Sequence, residues 1–497
     1  VSGSGMVNTN GFTASTFDVT NQDFMNGGAL AFTRGEGAGS IVNDGTIVTG
    51  SGGAHLIASD IANNGTIQSI GGNITLSSGG RVTLENGVTY VQPSMATLES
   101  GISPTAGMIQ NTGTIRATGA ATSGGEVYLV NPNGKILHDG TIAASQTSHV
   151  VTDDSIDRLE AYPTVGGHVQ LEADEITLAA ESTINASGIH GGGEVLVGGD
   201  WQGSGTMTQA TTVTMEAGAT INASATEAGD GGTIVLWSDI FNTDSITSVA
   251  GTLLARAGDL FGNGGRIETS GSSVQTYGIQ VDAGAANGNG GLWLIDPYNY
   301  LIDAVAASDI AGTLETGTSV TVTTTANNGS YGSSGTNTDL GDIVVGSDIV
   351  TGAMSGDATL TLQAHRHINV DANIDATQNG NTAQLNVTLL ADSDHSGDGI
   401  NLVNGDSIKT NGGNLTFGDG STATIGGSSV QVGGDVYISG TAAQSLEAGG
   451  GTITVNGETI VANTNGVTFD SGNGDIVFGG VLNSGNQYTG VTSTQTW

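Results

Sequence analysis

The sequence predicts an all-β protein whose chain winds into a right-handed parallel β-helix and forms an elongated rod. Glycine occurs 84 times in 497 residues, well above the usual ~7%. Charged residues make up only 11% of the chain, where roughly 25% is typical. Short motifs with alternating apolar residues also return along the chain, and such internal repeats indicate a stacked architecture.

The remaining composition favours short strands joined by tight turns. Thr, Val, Ile, Asn and Ser fill many of the other positions. β-Branched side chains pack well on a pleated surface, and Gly or Asn accepts the positive φ that a turn requires. Lys and Arg together number nine and Pro only five, which argues against long helices and against collagen-like segments.

Charge and cysteine content narrow the function classes. The net charge of −38 argues against nucleic acid as a partner, because binding to the phosphate backbone needs clustered Lys and Arg. No run of about 20 apolar residues occurs, so we expect no membrane span. Cysteine is absent, and a repeat stack builds a continuous core without disulfides. The chain begins at Val1 without a leader, so we expect it to be a piece of a longer, exported polypeptide.

Three motifs repeat along the chain. The first joins two short strands through an Asn- or Asp-containing turn and ends in Gly-Thr-Ile; it occupies residues 41–47, 61–67, 109–115 and 136–142. The second is Gly-Gly followed by alternating apolar residues, at 71–76, 124–129, 166–171, 192–197, 231–236 and 412–417. The third is Ile-x-Ala-Ser, at 142–145, 184–187 and 221–224.

The spacing of these motifs predicts the size of one coil. Copies recur 20 to 27 residues apart, from Gly45 to Gly65 and from Gly113 to Gly140. Roughly 25 residues per coil gives about 20 coils, and a rod on the order of 100 Å at the ~4.8 Å strand spacing. An antiparallel sandwich or barrel also shows short strands and Gly turns, and is the alternative architecture.

Two regions are expected. Residues 1–300 carry the regular repeat and predict the parallel β-helix. Residues 301–497 predict a continuing β-solenoid with a looser period. A short helix is expected near Ser308, with Ser308 as its N-cap, followed by strands at 320–325, 342–345 and 359–363.

Five segments resemble the filamentous haemagglutinin-type exoproteins of two-partner secretion systems. They are GFTASTFDV at 11–19, GGGEVLVGGDWQGSG at 191–205, GDGGTIVLW at 229–237, GGLWLIDPYN at 290–299 and LLADSD at 389–394. The resemblance implies a right-handed parallel β-helix that is exported through an outer-membrane β-barrel transporter. It also implies a secreted, cell-surface adhesin that attaches to host cells, surfaces or matrix glycans.

One motif departs from the family pattern. The family's secretion motif, Asn-Pro-Asn-Gly, precedes the segment that residues 11–19 resemble, whereas here Asn-Pro-Asn-Gly lies downstream, at 131–134. We therefore interpret 131–134 as a corner of an ordinary coil and not as the partner-recognition motif. The start of the secretion domain is expected to lie outside this sequence.

The strongest candidate for a metal site in the sequence is a calcium loop. Asp392, Asp394 and Asp398 place carboxylates at alternating positions beside glycines, as hard oxygen ligands for calcium require. The position that would carry a bidentate Glu in a helix-flanked calcium loop is Val403. A solvated acidic corner loop is the alternative interpretation.

Other polar and aromatic residues have competing interpretations. His365 and His367 are expected on one face of a strand, as an outward polar face more than as metal ligands. Asp153, Asp154 and Asp157 resemble the paired carboxylates of sugar-cleaving enzymes, but only Arg158 lies beside them, which favours an insertion loop.

Tryptophan positions divide into two groups. Trp237 and Trp293 lie in apolar runs and are expected to fill the core, whereas Trp201 in its Gly-rich segment is expected to be exposed. Exposed tryptophan could stack on sugar rings.

The sequence therefore predicts the shaft of a secreted bacterial adhesin and not an enzyme. Binding is expected in loops that interrupt the repeat, such as 147–163 and 326–340. A subunit that self-associates into an extracellular filament is the first alternative, because an uncapped stack presents an open strand edge. A polysaccharide-active enzyme is the second alternative.

Overall fold

A computed structural model describes most of the chain. The described residues are 1–35, 37–85, 87–92, 107–119, 124–145, 164–324, 341–391, 399–403, 405–420, 422–425, 428–431 and 434–484. The chain forms two compact units. The first comprises Val1–Asp239, Ser245–Glu268 and Ala285–Asn289, and the second comprises Ile240–Asp244, Thr269–Gly284 and Gly290–Trp497.

Short strands dominate the structure. In chain order up to residue 270 they are β1 (Met6–Ser15), β2 (Asp18–Val19), β3 (Leu30–Thr33), β4 (Ser40–Asn43), β5 (Thr46–Ile57), β6 (Asp60–Asn63), β7 (Thr66–Ile70), β8 (Ile74–Ser77), β9 (Arg81–Glu85), β10 (Val88–Gln92), β11 (Met108–Asn111), β12 (Thr114–Thr118), β13 (Glu126–His138), β14 (Thr141–Ala143), β15 (His168–Leu178), β16 (Thr183–Asn185), β17 (Glu194–Val197), β18 (Thr212–Met215), β19 (Thr220–Asn222), β20 (Thr233–Trp237), β21 (Ile246–Val249), β22 (Thr252–Leu254) and β23 (Arg266–Ser270).

The later strands are shorter on average. They are β24 (Ser273–Thr276), β25 (Gln280–Asp282), β26 (Leu292–Asp296), β27 (Tyr300–Ile302), β28 (Ser319–Thr323), β29 (Ile343–Val345), β30 (Ile349–Val350), β31 (Ala358–Gln363), β32 (Ile368–Val370), β33 (Ile374–Asp375), β34 (Leu385–Leu390), β35 (Ile400–Leu402), β36 (Ile408–Lys409), β37 (Leu415–Phe417), β38 (Thr422–Ile425), β39 (Ser428–Gln431), β40 (Val436–Ile438), β41 (Gln444–Glu447), β42 (Ile453–Val455), β43 (Thr459–Val461), β44 (Val467–Asp470), β45 (Ile476–Phe478) and β46 (Leu482–Ser484). The helices are α1 (Asn21–Asn26), α2 (Ala304–Glu315) and two 3-10 turns, Trp201–Gly203 and Gln378–Gly380.

Parallel pairing in register confirms the predicted fold class, a parallel β-helix. In the first unit, the isoleucine that ends the first repeat motif stacks on its counterpart in the next coil. The ladder runs Ile47, Ile67, Ile115, Ile142, Ile184 and Ile221. Each of these side chains is almost completely buried, and full burial of one such side chain contributes roughly 1.5–3 kcal/mol. The ladder therefore forms one continuous strip of the core.

The first motif needs Gly at its turn because neighbouring coils approach closely there. A Cβ added at Gly65 would lie 2.1 Å from the carbonyl oxygen of Gly45, and one at Gly113 would lie 2.1 Å from that of Gly65. Any side chain at these corners would push the coils apart. The glycine spacing is thus a direct consequence of coil stacking.

The predicted period of about 25 residues holds for some coils, such as those that pair Ile343 with Ile368 and Val436 with Thr459, and is wrong for others. Hydrogen-bonded residues in successive coils of the first unit are separated by 20, 48 and 27 residues, and later ones by 37. In the second unit the separations include 40, 27, 28 and 38 residues. Only the stacked strands are held in register, and connecting loops tolerate insertions at small cost. Because many coils are longer than 25 residues, the predicted number of about 20 coils is too high.

An antiparallel sheet lies outside the coil in the first unit. It has the strand order β10-β9-β3-β2, with antiparallel pairings throughout. Phe17, Phe32, Ile57 and Val82 form its core. The sheet was not predicted from the sequence, because alternation of apolar residues does not distinguish parallel from antiparallel strands. Helix α1, which lies between β2 and β3, was not predicted either, and its N-cap is Thr20.

The second unit has three-sided coils. Strands from β26 onward fall into three parallel sheets, and a complete coil, such as β28, β29 and β30, adds one strand to each. The first sheet contains β26, β28, β31, β34, β37, β42 and β45; the second is β27-β29-β32-β35-β40-β43-β46; the third is β30-β33-β36-β41-β44. Among the described residues of this unit, β38 and β39 form an antiparallel hairpin.

The predicted helix exists but begins earlier than expected. Helix α2 starts at Ala304, and Ser308 lies inside it. Asp303 is the N-cap, because its Oδ1 accepts hydrogen bonds of 3.0 Å from the backbone N–H groups of Val305 and Ala306. A carboxylate that satisfies two backbone donors is a stronger cap than an interior serine. The strands expected at 342–345 and 359–363 are confirmed as β29 and β31.

A buried ladder of polar side chains runs beside the isoleucines of the first unit. Asn43 Nδ2 donates to Asn63 Oδ1 at 2.8 Å, and Asn63 Nδ2 donates to Asn111 Oδ1 at 2.7 Å. Asn111 Nδ2 then donates to His138 Nδ1 at 3.1 Å. All four side chains are buried. The polar position of the first motif is therefore a core position, and each of these Asn Nδ2 groups donates to the side chain in the next coil.

His138 ends the ladder as a neutral imidazole. Because Nδ1 accepts from Asn111, the proton resides on Nε2, which donates to the backbone oxygen of Thr183 at 3.3 Å. Burial is the main cause that lowers the pKa of His138 from 6.5 to about 4. Burial therefore selects the neutral form, against the backbone hydrogen bonds of Thr183 and Asn111 that favour the charged one.

Replacing the central ladder residue, Asn63→Ala, should lower the free energy of unfolding by about 3 kcal/mol, because a buried donor on Asn43 and a buried acceptor on Asn111 lose their partner. The matched control is Asn64→Ala, whose side chain is exposed and bonds Asp44 at 2.8 Å; it should cost only about 0.5 kcal/mol. Urea unfolding followed by circular dichroism measures both. Equal costs for the two variants would contradict the ladder.

Acid should destabilise the first unit through His138. Between pH 6.5 and about 4 the unfolded chain binds a proton at His138 that the folded chain does not, so stability falls as pH falls. From pH 7.5 to 4.5 the loss from this residue is about 2.5 kcal/mol. His138→Asn keeps an acceptor for Asn111 and removes this titration. Urea unfolding at both pH values should therefore show a smaller acid loss in the variant, and identical losses would refute the assignment.

Candidate binding surfaces

The segment at 191–205 is shaped by a buried tryptophan. Trp237 is almost fully buried, as predicted, and its Nε1 donates to Gln209 Oε1 at 3.0 Å. A Cβ added at Gly199 or Gly203 would lie 2.4 or 2.5 Å from the Trp237 ring. The glycines of this segment therefore let the backbone lie directly on the indole.

Trp201 is half-buried and not exposed as predicted. The Arg266 guanidinium lies 4.5 Å from the centre of the Trp201 ring, and a cation over an indole face is a favourable contact. Gln202, the next residue, has φ 53°, and its N–H donates to the buried Glu268 at 2.8 Å. Trp201 thus serves the local packing of the first unit, with one face covered by arginine.

Trp293 fills the core of the second unit, as predicted. Its side chain is fully buried, and its Nε1 donates to Thr269 Oγ1 at 3.0 Å. The segment at 290–299 therefore contributes a core residue to the coil.

The Asn-Pro-Asn-Gly segment lies within β13, at an irregularity of the strand. The register between β13 and β15 shifts between Asn131 and Lys135. Asn131 is buried, and its Nδ2 donates to the backbone oxygens of Gly107 and Lys135 at 2.7 and 3.2 Å. The segment is therefore part of a stacked coil, but it lies inside a strand and not at a corner between two strands.

A polar row covers the outside of the first unit. Glu126, His168 and Glu194 occupy equivalent register positions on β13, β15 and β17. His168 Nδ1 lies 3.0 Å from Glu194 Oε2, and this hydrogen bond is the main cause that lowers the pKa of Glu194. Tyr128 donates to Glu126 at 3.0 Å, and its ring centre lies 5.4 Å from that of His168. Half-exposed groups of this kind add little stability but present carboxylate and aromatic edges to solvent.

Several predicted site residues lie outside the described residues. These are Asp392, Asp394 and Asp398 of the calcium loop, the segment with Asp153, Asp154, Asp157 and Arg158, and most of the two candidate binding loops. The calcium site therefore stays a prediction. Within the described part of the chain, no group of three or more His, Cys, Asp or Glu side chains could hold a metal ion. No helix in that part is both long enough and apolar enough to span a membrane.

The prediction that His365 and His367 share a strand face is wrong. Both lie in the bend between β31 and β32. Arg366 between them donates to both carboxylate oxygens of Asp342, at 2.8 and 2.6 Å, and His367 Nδ1 accepts from the N–H of Gly399 at 3.3 Å. A bidentate pair between an arginine and a carboxylate requires a defined geometry. The Arg366–Asp342 pair therefore stabilises the bend between the two strands.

A cleft in the second unit was not predicted from the sequence. It has a volume of about 490 Å³ and is bounded by β24, β27 and the start of α2. The lining residues are Ser272, Ser273, Val274, Gln275, Thr276, Tyr277, Tyr298, Asn299, Tyr300, Leu301, Asp303 and Ala306. The available signal was Tyr298 and Tyr300 beside Asn299 in a chain with only nine tyrosines. The sequence does not show that Tyr277 lies near these two tyrosines, because that depends on which strands are neighbours.

The floor of the cleft contains buried hydroxyl groups. In the described structure, Tyr300 Oη and Thr276 Oγ1 are both buried, and neither makes a hydrogen bond of ordinary geometry, although the Thr276 hydroxyl interacts with Tyr300 and with Asp309. Burial raises the pKa of Tyr300, so the phenol stays protonated and can donate. Asp309, in α2 behind this floor, accepts from the N–H of Gly278 at 3.3 Å, and burial is the main cause that raises its pKa.

Comparisons with known proteins gave a similarity to a solved structure. No protein-family model matches the chain, and no curated protein matches it. Among solved structures, the chain is similar to the HMW1 secretion domain from Haemophilus influenzae. The two share 26% identity, the match covers 59% of this chain and 77% of that one, and the TM-score is 0.42.

Proposed function

We propose that this chain is part of the shaft of a secreted bacterial surface adhesin that is exported through an outer-membrane β-barrel transporter. Under this proposal residues 1–300 contain the later secretion domain and the first part of the shaft, and residues 301–497 continue the solenoid. The shaft holds binding groups at a distance from the cell and performs no turnover. Host or matrix glycans are the proposed ligands.

The proposal is supported most strongly by the position in the core of three segments that resemble haemagglutinin-type exoproteins. Two of them end on or contain the fully buried Trp237 and Trp293, and a third supplies the glycines that lie on Trp237. These residues determine how the coils pack. The resemblance is therefore carried by positions that specify the β-helix itself and not by scattered surface residues.

The surface of the coils also suits a scaffold. Inward positions are aliphatic and stacked, whereas outward positions such as Glu126, His168 and Glu194 are polar. Connections vary in length without disturbing the register, as the separations of 20 to 48 residues show. Such a fold can present loops of many sizes on one rigid support.

Attachment by the whole 497-residue chain tests the proposal. Beads coated with the chain should be retained on cultured epithelial cells or on polysaccharide-coated surfaces at least tenfold more than albumin-coated beads. The assay is repeated with calcium and with a chelator, because the Asp392–Asp398 loop is a predicted calcium ligand. Retention that falls with the chelator would support that loop as a calcium site.

Two results would contradict the adhesin. Beads that are retained no better than albumin on every surface would reject attachment, and release of soluble sugar from the polysaccharide would indicate an enzyme. Electron microscopy of the same sample separates the remaining alternative, since isolated particles fit a shaft and continuous fibres fit a polymerising subunit.

A further inference from the structure

We propose that the cleft between β24, β27 and the start of α2 is a binding site for a neutral saccharide of one or two rings. This inference rests on the proposed adhesin function and names the ligand class and the residues that would bind it. The volume of about 490 Å³ falls in the ~300–1,000 Å³ range of small-ligand pockets.

Exposed apolar groups form the rim of the cleft. The side chain of Tyr277 is 57% exposed and that of Leu301 is 60% exposed, and both line the cleft. The hydroxyl of Tyr277 donates to Gln275 Oε1, which holds the ring in place. A pre-positioned aromatic ring offers a flat apolar face to the C–H side of a sugar at little entropic cost.

Two buried hydroxyl groups lie at the floor of the cleft. Tyr300 is 5% exposed, and neither its hydroxyl nor that of Thr276 makes a hydrogen bond of ordinary geometry in the described structure. The Thr276 hydroxyl interacts with both Tyr300 and Asp309. A polar group without a good partner costs free energy, and a rotation of the Tyr300 or Thr276 side chain toward the cleft would let its hydroxyl bind a sugar hydroxyl.

The walls of the cleft fix the class of ligand. Asn299 Oδ1 is taken by the N–H groups of Gly341 and Asp342 at 2.7 and 3.1 Å, so the amide offers its Nδ2 group as a donor. Gln275 likewise offers Nε2. None of the described residues that line the cleft is Lys, Arg or His, and Asp303 is one of them. This charge disfavours sulfated, phosphorylated or sialylated sugars and favours neutral ones.

Calorimetric titration of the full chain with three neutral disaccharides, lactose, cellobiose and diacetylchitobiose, tests the site. At least one should bind, and sialyllactose should bind at least tenfold more weakly than lactose if lactose is the one that binds. No binding by any of the three, or tighter binding of sialyllactose than of lactose, would overturn the proposal.

Two variants locate the binding in the cleft. Tyr277→Ala should weaken binding about tenfold by removing the stacking face, whereas Tyr90→Ala, on β10 of the first unit and also 57% exposed, should leave binding unchanged. Equal effects of the two variants would place the saccharide elsewhere.

Tyr300→Phe separates binding from folding. It removes a buried hydroxyl that makes no hydrogen bond of ordinary geometry in the described structure, so the thermal unfolding midpoint should change by less than about 2 °C. Binding of the disaccharide should weaken about fivefold. A lower midpoint with unchanged binding would show that the hydroxyl serves the fold and would refute its role in the site.

The bead assay distinguishes failure of the cleft from failure of the adhesin. Tyr277→Ala beads that attach like wild type, with no neutral disaccharide bound by the free chain, would reject the cleft and leave the proposed function standing. Saccharide binding by a chain whose beads attach to no surface would reject the adhesin and leave the cleft standing.

Discussion

Stacking of each coil on the next in exact register is the constraint on which the rest of the structure depends. Parallel pairing brings identical positions of successive coils together, so that Ile67 lies between Ile47 and Ile115 and Asn63 lies between Asn43 and Asn111. A polar side chain is tolerated in this core because its partner is the same kind of side chain one coil away. The close approach of the backbones then excludes a Cβ at corner positions such as Gly65, which is why glycine is so abundant.

The repeating part of the fold could be predicted from the sequence because the register constraint acts on consecutive residues. Isoleucine, asparagine and glycine recur together at 41–47, 61–67 and 109–115, and each of them has a role in stacking. The coil length could not be predicted, since insertions between strands leave the ladder intact. The antiparallel sheet at β2, β3, β9 and β10 was missed because its strands alternate as the parallel ones do, and alternation does not reveal strand direction.

The cleft shows why the candidate site was harder to predict than the core. Tyr277 and Tyr300 belong to different strands and meet only through the fold of the second unit. Nothing in their local spacing marks them, whereas the acidic run at Asp392–Asp398 and the pair His365 and His367 were conspicuous in sequence. The histidines lie in a bend that Arg366 and Asp342 hold together. The register constrains only the residues that stack inside the coil, so the residues on its outer face can differ from coil to coil. A binding site on that face is therefore formed by residues that are far apart in the sequence.

Engineered disulfides test the register most directly, since the chain has no cysteine of its own. Thr114 and Thr141 are register partners on adjacent coils, with Cα atoms about 4.8 Å apart. The Thr114→Cys, Thr141→Cys chain should therefore form an internal disulfide under mild oxidation, seen by mass spectrometry. In Thr114→Cys, Ala143→Cys the second cysteine sits two residues out of register, beyond the ~7 Å limit, and should stay reduced. Equal disulfide yields in the two chains, or a higher yield in the second, would contradict the stacked helix.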